Sequence, residues 1–63
     1  MNMNETNVCP VCGESALEAF EICPICDWQN DRVQMMHPDM QGGANRMSLN
    51  QAKEAYHRGE KII

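Results

Sequence analysis

The sequence has few large apolar side chains with which to build a core. Its only aromatic residues are Phe20, Trp28 and Tyr56, and much of its 43% hydrophobic content comes from four cysteines and six methionines. A chain of 63 residues buries only about 60% of the surface that its unfolded form exposes, so such a core is marginal by itself. We therefore expect a single domain that needs an additional cross-link, such as a bound metal ion or disulfides, as a staple.

Long apolar runs and a secretory leader are also missing. No segment approaches the roughly 20 consecutive apolar residues of a membrane span. The polar residues 1–7 have neither the basic nor the apolar region of a signal peptide. We expect no membrane partner, a disordered N-terminal lead-in over residues 1–7 and a cytoplasmic location. Thiols stay reduced in that compartment, where paired cysteines more often bind metal than form disulfides.

Basic residues are absent from the first half of the chain. Residues 1–31 hold six acidic residues and no lysine or arginine, whereas residues 32–63 hold five basic and three acidic residues. The formal charges of the two halves are therefore −6 and +2, which give the total of −4. Binding along a phosphate backbone needs clustered positive charge, so this distribution disfavours a nucleic-acid partner.

Four cysteines in two C-x-x-C pairs supply the missing staple. Cys9 and Cys12 form the first pair, Cys23 and Cys26 form the second, and ten residues separate the pairs. Two such loops that face each other complete a tetrahedral site with Zn–S distances of about 2.3 Å. Four thiolates leave no open coordination position, which predicts one structural Zn²⁺ rather than a catalytic one. Binding of this kind contributes on the order of 10 kcal/mol to the folding of zinc-finger peptides.

Three other uses of these cysteines stay open. Iron in a rubredoxin-like site takes the same four thiolates and can carry an electron. Two disulfides suit a secreted protein, and four cysteines allow three connectivities. A thioredoxin-like redox pair needs an exposed thiol of low pKa at a helix N-terminus.

The segment between the cysteine pairs predicts a short β-hairpin. Phe20 and Ile22 alternate with Glu21 as in a half-buried strand, and a hairpin lets the two pairs converge on one metal ion. Trp28, which follows the second pair, is the only large ring available to cover one side of the metal loops. The expected fold class is a small metal-bound domain with zinc-ribbon or rubredoxin-like knuckles, a short β-hairpin and one C-terminal α-helix.

The C-terminal segment has the clearest helix signal. Ser48 and Gln51 form a capping box and Gly59 suits the C-terminal cap, which predicts a helix over residues 49–58. Gly42-Gly43 before it predicts a flexible joint. The helix should dock on the metal subdomain through one face, formed by Leu49, Ala52 and Tyr56.

These elements predict a simple organisation along the chain. Residues 8–34 form a zinc-ribbon-like subdomain, and residues 35–63 contribute a turn, the Gly-Gly joint and the docked helix. The four methionines of the second part either fill the small core or offer a pliable surface to a partner. They are Met35, Met36, Met40 and Met47.

Two histidines raise the possibility of catalysis. His37 and His57, together with Asn45, are compatible with a nuclease of the zinc-knuckle-flanked ββα-metal kind. No acidic residue stands at a metal-site spacing from either histidine, and solvated histidines explain both positions. We therefore expect no enzyme.

Two further runs extend the pattern beyond the cysteines. DWQNDRVQ begins at Asp27 and GGANRMSLNQAKEAY begins at Gly42. Together with the cysteine loops they resemble the cysteine-rich CPCC family of small bacterial zinc-ribbon-like proteins over residues 9–56. Val11 stands where the first loop of that family has an additional cysteine. The resemblance implies a zinc-ribbon-like fold in which Asn45 hydrogen-bonds the metal loops or Trp28.

The expected function is that of a protein-binding module. An acidic surface in the first half of the chain would meet a partner with a basic surface, as in immunity proteins and inhibitors of basic toxins or nucleases. The alternative is a nucleic-acid-binding zinc ribbon, which salt-dependent binding to DNA or RNA would reveal. The acidic surface comprises Glu14, Glu18, Glu21, Asp27 and Asp31.

Overall fold

Two helices follow the cysteine loops in the computed structural model, which describes residues 8–63. Helix α1 spans Arg32–Met36 and helix α2 spans Leu49–Arg58. The lead-in predicted over residues 1–7 lies outside the described residues. Neither helix of the described part is long and apolar enough to cross a membrane.

The predicted β-hairpin between the cysteine pairs is wrong. Residues 8–63 contain no strand but two isolated antiparallel bridges, one between Val8 and Ala16 and one between Ile22 and Gln29. Each bridge closes one cysteine loop instead of pairing the two loops with each other. The connecting segment cannot extend because Phe20 has a left-handed backbone with φ of 60°.

Helix α2 has the predicted bounds. Ser48 is its N-cap, and the reciprocal bonds of a capping box with Gln51 are both present. Gly59 ends the helix with φ of 75°, and its N–H donates to the carbonyls of Ala55 and Tyr56. All of these contacts lie within five residues of each other along the chain, so local sequence was sufficient to predict them.

The buried face of α2 differs from the predicted one by one residue. Leu49 and Ala52 are buried as expected, but Ala55 is the third buried position and Tyr56 is 39% exposed. Partial desolvation and the nearby charges of Cys12 and Glu14 raise the pKa of the Tyr56 phenol. Tyr56 therefore lies at the edge of the core rather than inside it.

Helix α1 is an element that the sequence patterns did not predict. Asp31 is its N-cap and accepts hydrogen bonds from the N–H groups of Val33 and Gln34 at 2.8 and 3.3 Å. At five residues the helix is too short to be stable alone, so packing must hold it. The predicted division after residue 34 falls within α1, and the division of the chain into two parts stays a prediction.

The core is built around the cysteines. Trp28 and Leu17 are its largest fully buried apolar side chains, and Met47 packs against it from the second half of the chain. The C-terminal tail closes one side, because the N–H of Met47 donates to the carbonyl of Ile63 at 3.0 Å. The buried apolar residues are Cys9, Leu17, Cys23, Cys26, Trp28, Leu49, Ala52, Ala55 and Ile62.

Candidate metal centre

The two cysteine loops share one backbone hydrogen-bond pattern. In the first loop the N–H of Gly13 donates to the carbonyl of Cys9 at 2.9 Å. In the second loop the N–H of Asp27 donates to the carbonyl of Cys23 at the same distance. Each loop therefore folds back on its first cysteine, which places both of its sulfur atoms on one side of a tight turn.

The four sulfur atoms converge on one point. All of them lie within 4.8 Å of one another. Across the two loops, Sγ of Cys9 lies 3.5 Å from Sγ of Cys26, and Sγ of Cys12 lies 3.7 Å from Sγ of Cys23. Bonds of about 2.3 Å to a tetrahedral metal ion place neighbouring sulfur atoms roughly 3.8 Å apart. The donor set thus fits four-thiolate coordination, and the four cysteines could bind a metal ion.

The sulfur atoms lie in a largely closed environment with backbone donors. Cys9, Cys23 and Cys26 are buried, and Cys12 is half-buried. The N–H of Glu14 donates to Sγ of Cys12 at 3.5 Å, and the N–H of Ile25 donates to Sγ of Cys23 at 3.4 Å. Such donors favour thiolate over thiol and orient the ligands.

The thiols differ in how easily they lose a proton. Desolvation raises the pKa of Cys26 well above its ordinary value, and it also raises the pKa of Cys12. Desolvation opposes ionisation at Cys23 as well, but the N–H groups of Cys26 and Ile25 outweigh it, so the pKa of Cys23 is lowered. Of the thiols of Cys12 and Cys23, which face each other across the loops, Cys23 therefore loses its proton more readily.

The alternative sites in the sequence do not assemble. All four cysteines are free, and among residues 8–63 they are the only group of three or more His, Cys, Asp and Glu side chains that could hold a metal ion. His37 is exposed at the C-terminal end of α1, and His57 is exposed on α2. Neither histidine belongs to a metal-binding group in the described part of the chain.

Comparison with known protein families gives a match over most of the chain. The family described as cysteine-rich CPCC matches residues 7–59. The chain belongs to this family. The match includes both cysteine loops and both helices, and it confirms the resemblance seen in the sequence. A search of curated proteins found no match.

Val11 stands where the resemblance to the family predicts an additional cysteine. It is half-buried and packs against the core beside Cys12. The four sulfur atoms of this CPCC protein converge without a fifth thiol at that position. The substitution therefore removes no member of the sulfur cluster.

Trp28 is fully buried next to the cysteine loops of this CPCC protein. The N–H of Cys23 donates to the carbonyl of Trp28 at 2.8 Å, so the second loop is fixed to the residue that bears the ring. Its Nε1 is the one buried side-chain nitrogen or oxygen of the described residues without a hydrogen-bond partner. The ring thus contributes to the core through apolar packing.

Asn45 has a different partner from either predicted one. Its Oδ1 accepts a hydrogen bond from the N–H of Gln29 at 2.9 Å, and its Nδ2 donates to the carbonyl of Gln29 at 2.8 Å. This side chain therefore pairs with the backbone like a neighbouring strand. The contact falls one residue after Trp28, at the residue that bridges to Ile22 across the second cysteine loop.

Gln34 is a central residue that the sequence reasoning missed. It is 0% exposed, and its Nε2 donates to the carbonyls of Met40, Asn45 and Met47 at 3.0, 3.2 and 3.0 Å. Its Oε1 accepts from both the N–H and the Nδ2 of Asn45 at 3.1 and 2.9 Å. Residues 40–47 therefore wrap around one buried amide. The position of this glutamine in the apolar run VQMM was the available signal.

Gly43 is required for close approach rather than for flexibility. A Cβ at this position would lie 2.7 Å from Oδ2 of Asp31 and 2.8 Å from the side chain of Gln34. The predicted flexible joint is thus a packed contact in this CPCC protein. The glycine pair was the signal in the sequence, but it indicated close packing at Gly43 and not flexibility.

The predicted acidic surface loses one member. Asp31 is only 6% exposed, since it caps α1 and its Oδ2 accepts a hydrogen bond from the N–H of Ala44 at 2.9 Å. That bond, more than those from Gln34 and Val33, lowers its pKa against the opposing effect of desolvation. The four other acidic residues are exposed. They are Glu14, Glu18, Glu21 and Asp27.

Proposed function

We propose that the cysteine cluster holds one structural Zn²⁺. The observation that carries this proposal is the convergence of four sulfur atoms within 4.8 Å in the core of the protein. Four thiolates fill a tetrahedral shell and leave no position for a substrate or water. When bound, the ion supplies cross-linking of the two loops and a fixed charge rather than a reaction.

Metal analysis of the purified protein tests this assignment. We expect about one zinc per chain after purification without added metal, because a Cys₄ site is typical of structural zinc. A strong chelator should then abolish the helical circular dichroism, since zinc binding and folding are coupled. One iron per chain would support the rubredoxin-like alternative. Well under one metal per chain, or an unchanged spectrum without metal, would exclude the structural role.

The function that we propose for the zinc-stapled domain is protein binding without catalysis. The surface of its first half supports this, because exposed carboxylates lie beside exposed apolar side chains. Phe20 and Ile22 are 62% and 58% exposed. Glu21 lies between them and Glu18 precedes them in the sequence. Aromatic side chains on a rigid surface are typical anchors of protein interfaces.

A partner with a basic surface fits this arrangement. Such a partner would be steered by the charge of the first half, and an immunity protein or inhibitor of a basic toxin or nuclease is the specific form that we propose. The test is affinity capture with zinc-loaded protein as bait. The double variant Glu18→Lys/Glu21→Lys should lose the captured partner, whereas Glu54→Lys/Glu60→Lys, with the same change in net charge, should retain it.

Equal loss with both double variants would indicate general charge rather than this surface. The remaining alternative, a nucleic-acid-binding ribbon, predicts DNA or RNA binding that weakens steeply with salt. Arg46 and Arg58 share a surface groove with Glu54 and Glu60, so the basic half does not offer a continuous positive stripe. We therefore expect no binding to either nucleic acid even at low ionic strength.

A further inference from the structure

An apolar groove runs between the turn at residues 18–21 and helix α1. Its volume is about 710 Å³, and it is lined by apolar side chains from both elements. Met36 and Phe20 are 69% and 62% exposed, and Val33 is 51% exposed. A small domain that is short of large apolar residues thus leaves several of them at the surface. The apolar residues of the lining are Val8, Leu17, Phe20, Val33, Met35 and Met36, and all of them except Leu17 are exposed.

The backbone of Phe20 indicates that this exposure is built into the fold. A left-handed conformation is unusual for a bulky residue, yet Phe20 has φ of 60°. Its N–H donates to the carbonyl of Asn30 at 2.7 Å, and its carbonyl accepts from Nε2 of Gln29 at 3.1 Å. Residues held in such conformations cluster at functional sites. Here hydrogen bonds hold the strained residue while its ring stays in solvent.

The turn that carries Phe20 is also locked on either side. Nδ2 of Asn30 donates to the carbonyl of Glu18 at 3.0 Å. The N–H of Glu21 donates to the same carbonyl at 3.1 Å, and the N–H of Glu18 donates to Oε1 of Glu21 at 2.8 Å. A residue whose backbone is held in this way loses little backbone freedom on binding, which favours affinity.

The opposite wall of the groove is adaptable. Val33 and Met36 are three residues apart in α1 and so lie on one face of it, and Met35 also lines the groove. Methionine side chains re-pack readily around different apolar surfaces. The groove therefore combines a rigid aromatic wall with a pliable one.

Charge selects the occupant. Glu18 and Arg32 are the exposed charged residues of the lining. Glu21, whose Oε1 accepts a hydrogen bond from the N–H of Glu18, adds a second carboxylate next to Phe20. A second copy of this chain, which has a net charge of −4, would bring the same carboxylates together, and like charges at an interface are unfavourable. Anionic lipid headgroups are repelled for the same reason. Lysine or arginine beside an apolar segment is complementary to the groove.

We propose that the groove binds an amphipathic segment of another protein, with apolar side chains against Phe20 and Met36 and basic side chains against Glu18 and Glu21. The proposal rests on the protein-binding function and identifies the surface and the chemistry of the partner. It predicts that Phe20 is a binding anchor rather than a structural residue.

Synthetic peptides and the zinc-loaded full chain provide the test. The probe is a Leu/Lys amphipathic peptide of about 14 residues, long enough to form a helix on binding. One control has the same composition in an order without an apolar face, and another replaces lysine by glutamate. We expect the probe to shift the amide NMR signals of groove residues with a Kd of about 10–100 μM, and each control to bind at least tenfold more weakly.

Phe20→Gly separates binding from folding. Glycine adopts a left-handed backbone without strain, so the midpoint of thermal unfolding should be unchanged or raised while binding of the probe falls at least tenfold. Met36→Gln, on the other wall, should weaken binding without changing the fold. Ile63→Gln is a matched control, because Ile63 is exposed and lies outside the groove lining. This variant should bind the probe with normal affinity.

Several results would overturn the proposal. If Phe20→Gly binds the peptide with normal affinity, or if the NMR shifts map outside the groove, Phe20 is not a binding anchor. A dimer in sedimentation that Phe20→Gly dissociates would assign the groove to a second copy, and Phe20-dependent binding to phosphatidylcholine vesicles would assign it to a membrane. Partner capture that needs Glu18 and Glu21 but not Phe20 would retain the proposed function and reject only the groove.

Discussion

Gly13 and Asp27 have the same left-handed backbone conformation at equivalent positions of the two cysteine loops. Their φ angles are 70° and 71°, and each residue lies four positions after the first cysteine of its loop and donates to that cysteine's carbonyl at 2.9 Å. One loop meets this requirement with glycine and the other with aspartate, which tolerates the conformation better than most residues do.

The equivalence of Gly13 and Asp27 predicts that Asp27→Gly stabilises the protein. Glycine removes the left-handed strain, and we expect the free energy of unfolding to rise by about 0.5–1 kcal/mol, after the greater flexibility of glycine in the unfolded chain is included. Thermal and urea unfolding of the zinc-loaded protein measure the change. Gly13→Ala should destabilise by about 1 kcal/mol. A destabilised Asp27→Gly protein would mean that the carboxylate has a structural contact.

Gly43→Ala should destabilise the protein strongly. The new Cβ would lie 2.7 Å from Asp31 and 2.8 Å from Gln34, and overpacking of this kind costs about 1–3 kcal/mol. Gly42→Ala is the control, because Gly42 has φ of 81° but no atom within 4 Å of a Cβ, and it should lose only about 1 kcal/mol. A loss for Gly43→Ala that does not exceed that of Gly42→Ala in urea unfolding would show that Asp31 and Gln34 accommodate the new Cβ at little cost.

Gln34→Leu tests the buried amide while nearly preserving its volume. The carbonyls of Met40 and Met47 and the N–H of Asn45 would lose their partner, and each unsatisfied buried group costs about 1–3 kcal/mol. We expect a loss of about 3 kcal/mol or more, with less protection of residues 40–47 in hydrogen exchange. Gln41→Leu, at an exposed position, should change stability by less than about 0.5 kcal/mol. Similar losses for both variants would contradict the central role of Gln34.

Asp31→Asn should destabilise the protein by about 1–2 kcal/mol at pH 7, because hydrogen bonds to a charged acceptor are stronger than those to a neutral one. The pKa of Asp31 is lowered from an ordinary value of 3.8. Its contribution is therefore complete above that value and declines only as the pH falls through the still lower pKa of the folded state. The difference between wild type and variant should be constant from about pH 6 to pH 8.

Unfolding of both zinc-loaded proteins across that range measures the difference. Asp39→Asn is the matched control, since this exposed carboxylate accepts one hydrogen bond from Asn50 at 2.8 Å and should contribute less than about 0.5 kcal/mol. A difference that declines between pH 8 and pH 6 would show that the pKa of Asp31 is raised rather than lowered in the folded protein.

Features that depend on near neighbours could be predicted from the sequence. The cysteine ligand set follows from two spacings, and the bounds of α2 follow from its caps at Ser48 and Gly59. Within one cysteine loop, and within each cap of α2, the residues that interact are five or fewer positions apart. Their geometry is therefore largely independent of the remainder of the fold.

Features that depend on contacts between distant parts of the chain could not be predicted from the sequence. Helix α1 and the burial of Asp31 need the N–H of Ala44, 13 residues away. The environment of Gln34 needs Asn45, 11 residues away, and Phe20 takes its conformation from Asn30. No local pattern distinguishes a solvated aspartate from a buried cap, or a strand phenylalanine from one held outward on a left-handed turn.

The spacing of the thiols and the bounds of the last helix can be read from the amino-acid order alone, because short-range geometry controls both. Which polar side chains are buried and which apolar ones are exposed is seen only in the folded chain. That division depends on which segments meet once the two loops converge, and it placed Gln34 in the core and Phe20 at the surface.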